Sequence, residues 1–233
     1  MNPELKALIV DYGGVLTSPL LDTTGNWLDG DGIDPESFKD AMRDWLGISY
    51  GSEAGDSPVH ALERGEVEVP DFERRLASQL KTVDGRPVEA EGLLTRMFAG
   101  FGHEPAMTEA LRHAKAAGLA TALLSNSWGL DYPREGWDEL FDVVVISGEV
   151  GMRKPEARIF QLVAEELGLP PQACAFVDDL APNIRGAEAV GMVGVHHITP
   201  QQTIEELEAL FGINLRANAR NVQGVNAPHE RSG

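Results

Sequence analysis

The sequence predicts an α/β fold, in which a Rossmann-like parallel sheet has helices on both faces and carries an inserted helical cap. Short apolar runs bounded by loop residues alternate with helix-like patterns, which is typical of parallel strands joined by helices. One long stretch near the N-terminus breaks this alternation and has helical periodicity only. A chain of 233 residues with 42% apolar residues is also long enough to bury a full core.

Five apolar runs are predicted to form the buried strands, at residues 7–10, 119–124, 143–146, 173–177 and 193–196. Apolar residues recurring at helical spacing predict helices over 104–117, 156–168, 181–190 and 200–211. In the second of these, Ile159, Val163 and Leu167 fall on one face. Alternation of this kind predicts a parallel sheet covered on both sides.

Residues 18–100 show no buried-strand run and are predicted to form the cap. Helical periodicity appears in four segments separated by Gly-rich or acidic loops, at 35–46, 59–64, 70–80 and 89–98. The catalytic core is therefore expected at 1–17 and 101–213. Residues 214–233 contain few apolar side chains and are predicted to form a mobile tail.

The charge balance limits the kinds of partner. With 19 basic and 37 acidic residues, the formal net charge is -18, which disfavours nucleic acid and anionic membrane surfaces. A small anionic substrate stays compatible, because a metal ion or a lysine can dominate its own pocket. No apolar run approaches the ~20 residues of a membrane-spanning helix, and the single Cys174 lies in an apolar run that predicts a buried, inert thiol. We expect a cytoplasmic protein whose oligomeric state is open.

Polar residues follow three of the predicted strands. Asp11 precedes a pair of glycines, Ser125 and Asn126 follow the second strand, and Asp178 and Asp179 follow the fourth. Ligands of parallel sheets bind beyond the carboxyl ends of the strands, so these residues are candidates for one site. Taken singly, an Asp before glycines and a Ser-Asn pair are also ordinary turn chemistry. Adjacent carboxylates after an apolar strand repel each other and favour a Mg²⁺ site.

A fourth polar segment, Val150-Gly151-Met152-Arg153-Lys154-Pro155-Glu156, follows the third strand. Its lysine precedes a proline suited to the first turn of a helix, so it is predicted to offer a positive charge to a phosphate at the helix N-terminus. A surface lysine is the alternative interpretation. Arg153 either reinforces this anion site or pairs with a carboxylate at the surface, where the pair would contribute little.

The order and strand-end placement of these four segments resemble the haloacid dehalogenase superfamily. The fourth segment is similar to that of its subgroup I phosphatases, including glucose-1-phosphate phosphatase-like proteins and the N-terminal domain of soluble epoxide hydrolases. The resemblance implies a phosphohydrolase that acts on a small phosphorylated molecule, with Asp11 as the nucleophile that forms an aspartyl-phosphate. It also implies that Ser125, Asn126 and Lys154 hold the phosphoryl oxygens, and that the cap closes over the substrate.

The same resemblance implies Mg²⁺ as the cofactor. Its ligands would be Asp11, Asp179 and the main-chain carbonyl of Gly13. Asp178 would hold a metal-bound water or a neighbouring position.

Gly13 departs from the family pattern Asp-x-Asp, in which the second aspartate protonates the leaving oxygen and then activates water. A positioned acid-base group is worth roughly 10² to 10⁴ in rate, so the sequence predicts a slow phosphatase suited to a good leaving group, such as that of a sugar-1-phosphate or an acyl phosphate. Some glucose-1-phosphate phosphatase-like relatives also carry Gly here. Two alternatives are a noncatalytic protein that binds a phosphometabolite, and a 2-haloacid dehalogenase, which the paired aspartates disfavour.

Several further residues are weighed as substrate or metal contacts. Three lie in the predicted cap, where a core or solvated position is the simpler interpretation, namely Trp45, His60 and Glu63. Trp128 and Arg134 follow the Ser-Asn pair in a loop expected to border the site. His196 and His197 are adjacent on a strand, point to opposite faces and are predicted to be structural.

Overall fold

The computed structural model describes residues 4–51, 57–129 and 131–216, and it confirms the α/β fold. The strands are β1 (Ala7–Val10), β2 (Ala120–Ser125), β3 (Val143–Ile146), β4 (Cys174–Asp178) and β5 (Val193–His196). They form one parallel sheet in the order β3-β2-β1-β4-β5. Each agrees with its predicted apolar run within one residue.

The helices fall into two groups. The first five follow β1 and are α1 (Leu20–Asp31), α2 (Pro35–Gly51), α3 (Pro58–Glu63), α4 (Val69–Gln79) and α5 (Leu93–Phe98). Those later in the chain are α6 (Pro105–Ala116), which precedes β2, and α7 (Trp137–Leu140), α8 (Ser147–Val150), α9 (Ala157–Glu166), α10 (Ala181–Ala189) and α11 (Pro200–Phe211). The segment from the start of α1 to the end of α5 is called the insert below.

The central strand β1 positions the site. All four of its residues are fully buried, as expected of an apolar strand covered on both faces. Val10 pairs with Leu123 of β2 and Val177 of β4. Asp11 therefore leaves β1 between the carboxyl ends of its two neighbours.

Side-chain alternation along β1 divides the core into two layers. Leu8 and Val10 pack with residues of α6 and α11, including Leu111. Ala7 and Ile9 pack on the opposite face with residues of α9 and α10, including Phe160. The period of two along a strand produces this division, and helices cover both faces as predicted.

The insert has a separate hydrophobic cluster, which includes Trp27, Phe38, Phe72 and Leu94. Helix α1 is not predicted from the sequence, because its glycines and threonines weaken the helical pattern. The predicted helix 89–98 is shorter in the structure, where only Leu93–Phe98 is helical.

The chain stays ordered beyond residue 214. Leu215 is buried against the core, and the Arg216 guanidinium lies 3.2 Å from a Glu205 carboxylate oxygen. The prediction of a mobile tail is therefore wrong for residues 214–216, and residues 217–233 lie outside the described part of the chain. Among the described residues, no helix is long and apolar enough to cross a membrane.

Candidate active site

The four polar segments meet at the carboxyl edge of the sheet. Asp11, Ser125 and Asp178 end or follow the three central strands, and all three are buried. Lys154 reaches them from the segment between α8 and α9, and none of its surface is exposed. The parallel register explains this convergence, because it places the ends of β1, β2 and β4 side by side.

Lys154 bridges two carboxylates. Its Nζ lies 2.8 Å from Asp11 Oδ1 and 2.7 Å from Asp178 Oδ2. Although burial acts against it, these two carboxylates raise the pKa of Lys154, so the lysine stays charged. The alternative of a surface lysine is wrong.

The expectation that Lys154 lies at a helix start is also wrong. Helix α9 begins only at Ala157. Residues 153–156 instead form a turn in which the Glu156 N–H donates to the Arg153 carbonyl over 2.9 Å. The lysine is thus placed by a turn that precedes the helix and by the two carboxylates.

Asp178 is saturated with hydrogen bonds. Its Oδ1 accepts from the Leu180 N–H at 2.8 Å and from Asn183 Nδ2 at 3.0 Å, and its Oδ2 accepts from Lys154. Asn183 is a contributor that sequence reasoning missed, and its position in the first turn of α10, five residues after the aspartate, was the available signal. Asp178 therefore anchors Lys154 firmly.

The two carboxylate oxygens of Asp11 differ in their hydrogen bonds. Its Oδ1 accepts from the Tyr12 N–H at 2.7 Å and from Lys154. Among the described residues, no hydrogen bond reaches Oδ2. Burial raises the pKa of Asp11 to about 8, with Lys154 acting in the opposite direction and Asp178 adding to the increase.

The three aspartates are close enough to share a cation. One carboxylate oxygen from each of Asp11, Asp178 and Asp179 lies within 4.8 Å of the others. Burial, with Asp178 adding to it, raises the pKa of Asp179 to about 6. Two buried carboxylates and a half-buried one against one ammonium fit a divalent cation, because oxygen ligands suit Mg²⁺ and an unbalanced buried charge is costly.

The two glycines after Asp11 differ in what they permit. Gly14 has a φ of +72°, and a Cβ built there would lie 2.4 Å from Asp179 Oδ2. Gly13 has no positive φ, and a Cβ built there meets no atom within 4 Å. Gly14 is thus required by the backbone and by Asp179, whereas the space beside Gly13 is open to a side chain.

Ser125 and Asn126 are both held by polar partners. Ser125 Oγ lies 3.0 Å from the Tyr132 hydroxyl. Asn126 Oδ1 accepts from the Lys154 N–H at 2.9 Å, while Nδ2 donates to the Lys154 carbonyl at 3.1 Å. The Asn126 side chain thereby fixes the main chain of the lysine, and its predicted phosphoryl contact stays a prediction.

Tyr132 is a second residue that sequence reasoning missed, and its place between Trp128 and Arg134, in the loop expected to border the site, was the available signal. Burial raises its pKa to about 12. It also lines a cavity of about 550 Å³ between the insert and the core, together with Leu62, Val69, Ile146 and Arg134. Ser127, which follows Ser125 and Asn126 in the chain, also lines this cavity.

Arg153 pairs with a carboxylate, but not at the surface. Its Nε donates to Glu63 Oε2 at the end of α3, and the two side chains are only 5% and 4% exposed. His60 of the same helix lies beside this pair, and burial together with Arg153 and Arg64 lowers the pKa of His60 to about 4. The interpretation of Arg153 as a surface partner is wrong.

The remaining candidates have structural contacts. Trp45 and Trp128 each pack edge-on against Phe72 in the insert. His196 Nε2 lies 2.9 Å from the Asp179 carbonyl oxygen, and His197 Nδ1 lies 2.9 Å from Thr203 Oγ1. Arg134 pairs with Glu149 at the rim of the cavity.

The chain belongs to the haloacid dehalogenase-like hydrolases, since the model of that family matches residues 5–191. The predicted family resemblance is thereby confirmed. Curated relatives further place the enzyme among the phosphatases of the family. It is 34% identical to sesquiterpene phosphatase astK of Aspergillus oryzae, over 91% of this chain and 100% of the relative. It is 30% identical to phosphatase MT3486 of Mycobacterium tuberculosis, over 81% and 85% of the two chains.

Solved structures share the fold. A HAD family enzyme from Bacteroides thetaiotaomicron aligns with a TM-score of 0.63 at 19% identity, covering 89% of this chain and 98% of the other. The same enzyme in complex with magnesium and inorganic phosphate aligns with a TM-score of 0.56 at 20% identity, covering 83% and 94%.

Proposed function

We propose that the enzyme is a Mg²⁺-dependent phosphatase that transfers the phosphoryl group of a small phosphorylated molecule to Asp11 and then to water. The observation that carries this proposal is the cluster of Asp11, Asp178 and Asp179 around Lys154, in which Asp179 is half-buried and the other residues are buried. Mg²⁺ bound there would balance the excess negative charge and polarise the phosphoryl oxygens. The predicted cytoplasmic location belongs to the same proposal.

The contacts divide the metal-binding roles. No other residue in the described part of the chain donates a hydrogen bond to the Asp179 carboxylate, so it is the carboxylate best placed for direct coordination, with Asp11 and the Gly13 carbonyl. Asp178 already accepts from three donors. We therefore assign it to the placement of Lys154 and to the outer edge of the metal site.

In the proposed reaction, the free Oδ2 of Asp11 attacks phosphorus while Oδ1 stays held by Tyr12 and Lys154. The bond between phosphorus and the leaving oxygen breaks, and the leaving group takes its proton from solvent because Gly13 offers none. Water then attacks phosphorus, which releases phosphate and restores the Asp11 carboxylate. Ser125 and Lys154 donate to the phosphoryl oxygens as their charge increases.

We place the leaving group in the cavity beside Tyr132. Its wall combines apolar and charged side chains, namely Leu62, Val67, Val69, Ile146, Arg134, Glu68, Asp131 and Glu149. The apolar part of this wall suits an ester with a hydrocarbon portion. The similarity to a sesquiterpene phosphatase over nearly the whole chain supports isoprenoid phosphates as the first substrates to test.

The test is phosphate release with Mg²⁺ from an isoprenoid monophosphate, phosphoserine, glucose-1-phosphate and acetyl phosphate. We expect Mg²⁺-dependent release that is lost in Asp11→Asn. Saturable binding of these compounds without turnover would favour the noncatalytic alternative. Chloride release from a 2-chloro acid in the presence of EDTA would favour the dehalogenase.

A further inference from the structure

We propose that Glu63, which belongs to the insert, is a positioning residue for the phosphoryl-binding segments of the core. The inference rests on the proposed function, since the site that Glu63 serves is the phosphoryl site. Its basis is the junction at which the end of α3 meets α8 and the segment that contains Arg153 and Lys154.

The Glu63 side chain holds the residue next to Lys154. The Glu63 carboxylate and the Arg153 guanidinium form a buried pair of opposite charges. Exposed pairs contribute little, whereas removal of one partner of a buried pair leaves an uncompensated charge. The position of Arg153, and with it the turn that presents Lys154 to Asp11, therefore depends on a residue from the insert.

The Glu63 main chain holds the second phosphoryl-binding segment. Ser147 Oγ donates to the Glu63 carbonyl at 2.5 Å and accepts from the Ser127 N–H at 2.8 Å. Ser127 follows Ser125 and Asn126 in the loop after β2. One fully buried hydroxyl thus connects the end of α3 to this loop.

Asn126 joins the two segments to each other. Its amide brackets the Lys154 main chain through two hydrogen bonds. The Glu63 carboxylate contacts one of these segments directly, through Arg153. Asn126 connects that segment to the other one that would hold the phosphoryl group.

The main chain after α3 approaches that of α8 closely at this junction. Gly65, two residues after Glu63, has a φ of +70°, and a Cβ built there would lie 2.7 Å from the Gly148 carbonyl oxygen. A larger residue would separate α3 from α8. The insert is thus docked tightly where Glu63 contacts the core, and this docking fixes the geometry of the phosphoryl-binding segments.

The experiment uses Mg²⁺ with beryllofluoride, a mimic of the phosphoryl group on Asp11, and measures its dissociation constant by calorimetry. Glu63→Gln keeps the size of the side chain but removes its charge. Displacement of reacting groups by about 1 Å can lower a rate about 100-fold. Because beryllofluoride uses the same contacts as the phosphoryl group, we expect its binding to weaken by about 10- to 100-fold. The control is Asp31→Asn, which removes an ion pair of 2.7 Å with Arg96 inside the insert. It is expected to change the dissociation constant less than twofold.

A second variant separates positioning from folding. Replacing both partners of a buried pair by apolar residues often preserves stability, so Glu63→Met combined with Arg153→Met is expected to unfold at the wild-type temperature. It should still bind beryllofluoride as weakly as Glu63→Gln. Affinity within twofold of wild type in either variant would overturn the positioning role while leaving the proposed function intact. Absence of beryllofluoride binding and phosphate release in the wild type would overturn both.

Discussion

Two buried charge clusters in this enzyme differ in their balance. At the carboxyl edge of the sheet, Asp11, Asp178 and Asp179 share one ammonium, that of Lys154. At the junction between insert and core, the Glu63–Arg153 pair matches one carboxylate with one guanidinium. A balanced buried pair can be complete within the fold, whereas an unbalanced one needs a further cation. The unbalanced cluster is therefore suited to binding a cation, whereas the balanced pair holds the insert against the core.

The protonation behaviour of the first cluster agrees with this distinction. Burial raises the pKa of Asp11 to about 8 and that of Asp179 to about 6, even though Lys154 lies among the carboxylates. A single lysine does not offset the cost of burying these charges. Positive charge from Mg²⁺ would lower both pKa values and bring Asp11 into the ionised form that attack on phosphorus requires.

The largest expected effect comes from adding an acid to the unbalanced cluster. Gly13→Asp places a carboxyl group where a Cβ meets no neighbour within 4 Å. Because a positioned general acid-base is worth about 10² to 10⁴ in rate, we expect kcat on an alkyl phosphate to rise by about that factor. The rise should be much smaller with acetyl phosphate, whose leaving group needs no proton.

Gly14→Ala is the matched control for this variant. Its Cβ would lie 2.4 Å from Asp179 Oδ2 on a backbone with a positive φ, so we expect weaker Mg²⁺ binding and loss of phosphate release. An unchanged kcat on alkyl phosphates in a folded Gly13→Asp variant would show that proton transfer is not what the site lacks.

Removing the Lys154 ammonium should expose the imbalance directly. Lys154→Met leaves the aspartates without an ammonium, and breaking a buried charge pair typically costs about 3 to 5 kcal/mol. We expect the free energy of unfolding in EDTA to fall by about this amount. Saturating Mg²⁺ should restore part of it, because the metal replaces the missing positive charge. Urea unfolding with and without Mg²⁺ measures both quantities, and equal stability of variant and wild type in EDTA would contradict the imbalance.

The smallest effect concerns the junction. Burial, Arg153 and Arg64 lower the pKa of His60 from 6.5 to about 4. Between these two pKa values, the unfolded chain binds a proton at His60 that the folded chain does not, and this proton favours unfolding. His60 therefore does not reduce the free energy of unfolding above pH 6.5, but it reduces this free energy as the pH falls towards 4. His60→Gln should therefore lose less stability than wild type between pH 7 and pH 4.5. If urea unfolding at these two pH values shows the same loss of stability in the variant and the wild type, His60 does not contribute to that loss.

The same two regions show what sequence reasoning can reach. The strands and their polar ends are predicted correctly, because each is a local pattern and the parallel register alone brings Asp11, Ser125 and Asp178 together. The sequence does not predict the junction between the insert and the core. Glu63 and Arg153 are 90 residues apart, and nothing in either segment indicates the other.

Errors in the prediction have physical causes of the same kind. Trp128 follows a site segment, yet its ring packs between Phe72 and Phe98 of the insert, because burial of an aromatic ring outweighs its place in the chain. The proline after Lys154 suggests a helix start, but the turn closed by Glu156 delays the helix to Ala157. Long-range packing decides the position of Trp128, and a local turn decides the start of the helix.

Direct detection of phosphoryl transfer to Asp11 tests the central claim. Enzyme turning over a phosphate ester with Mg²⁺ is quenched with borohydride, which reduces an aspartyl-phosphate to homoserine, and the peptide that contains residue 11 is analysed by mass spectrometry. We predict homoserine at position 11 only when both Mg²⁺ and substrate are present. Phosphate release with an unmodified Asp11 in every quenched sample would contradict the account.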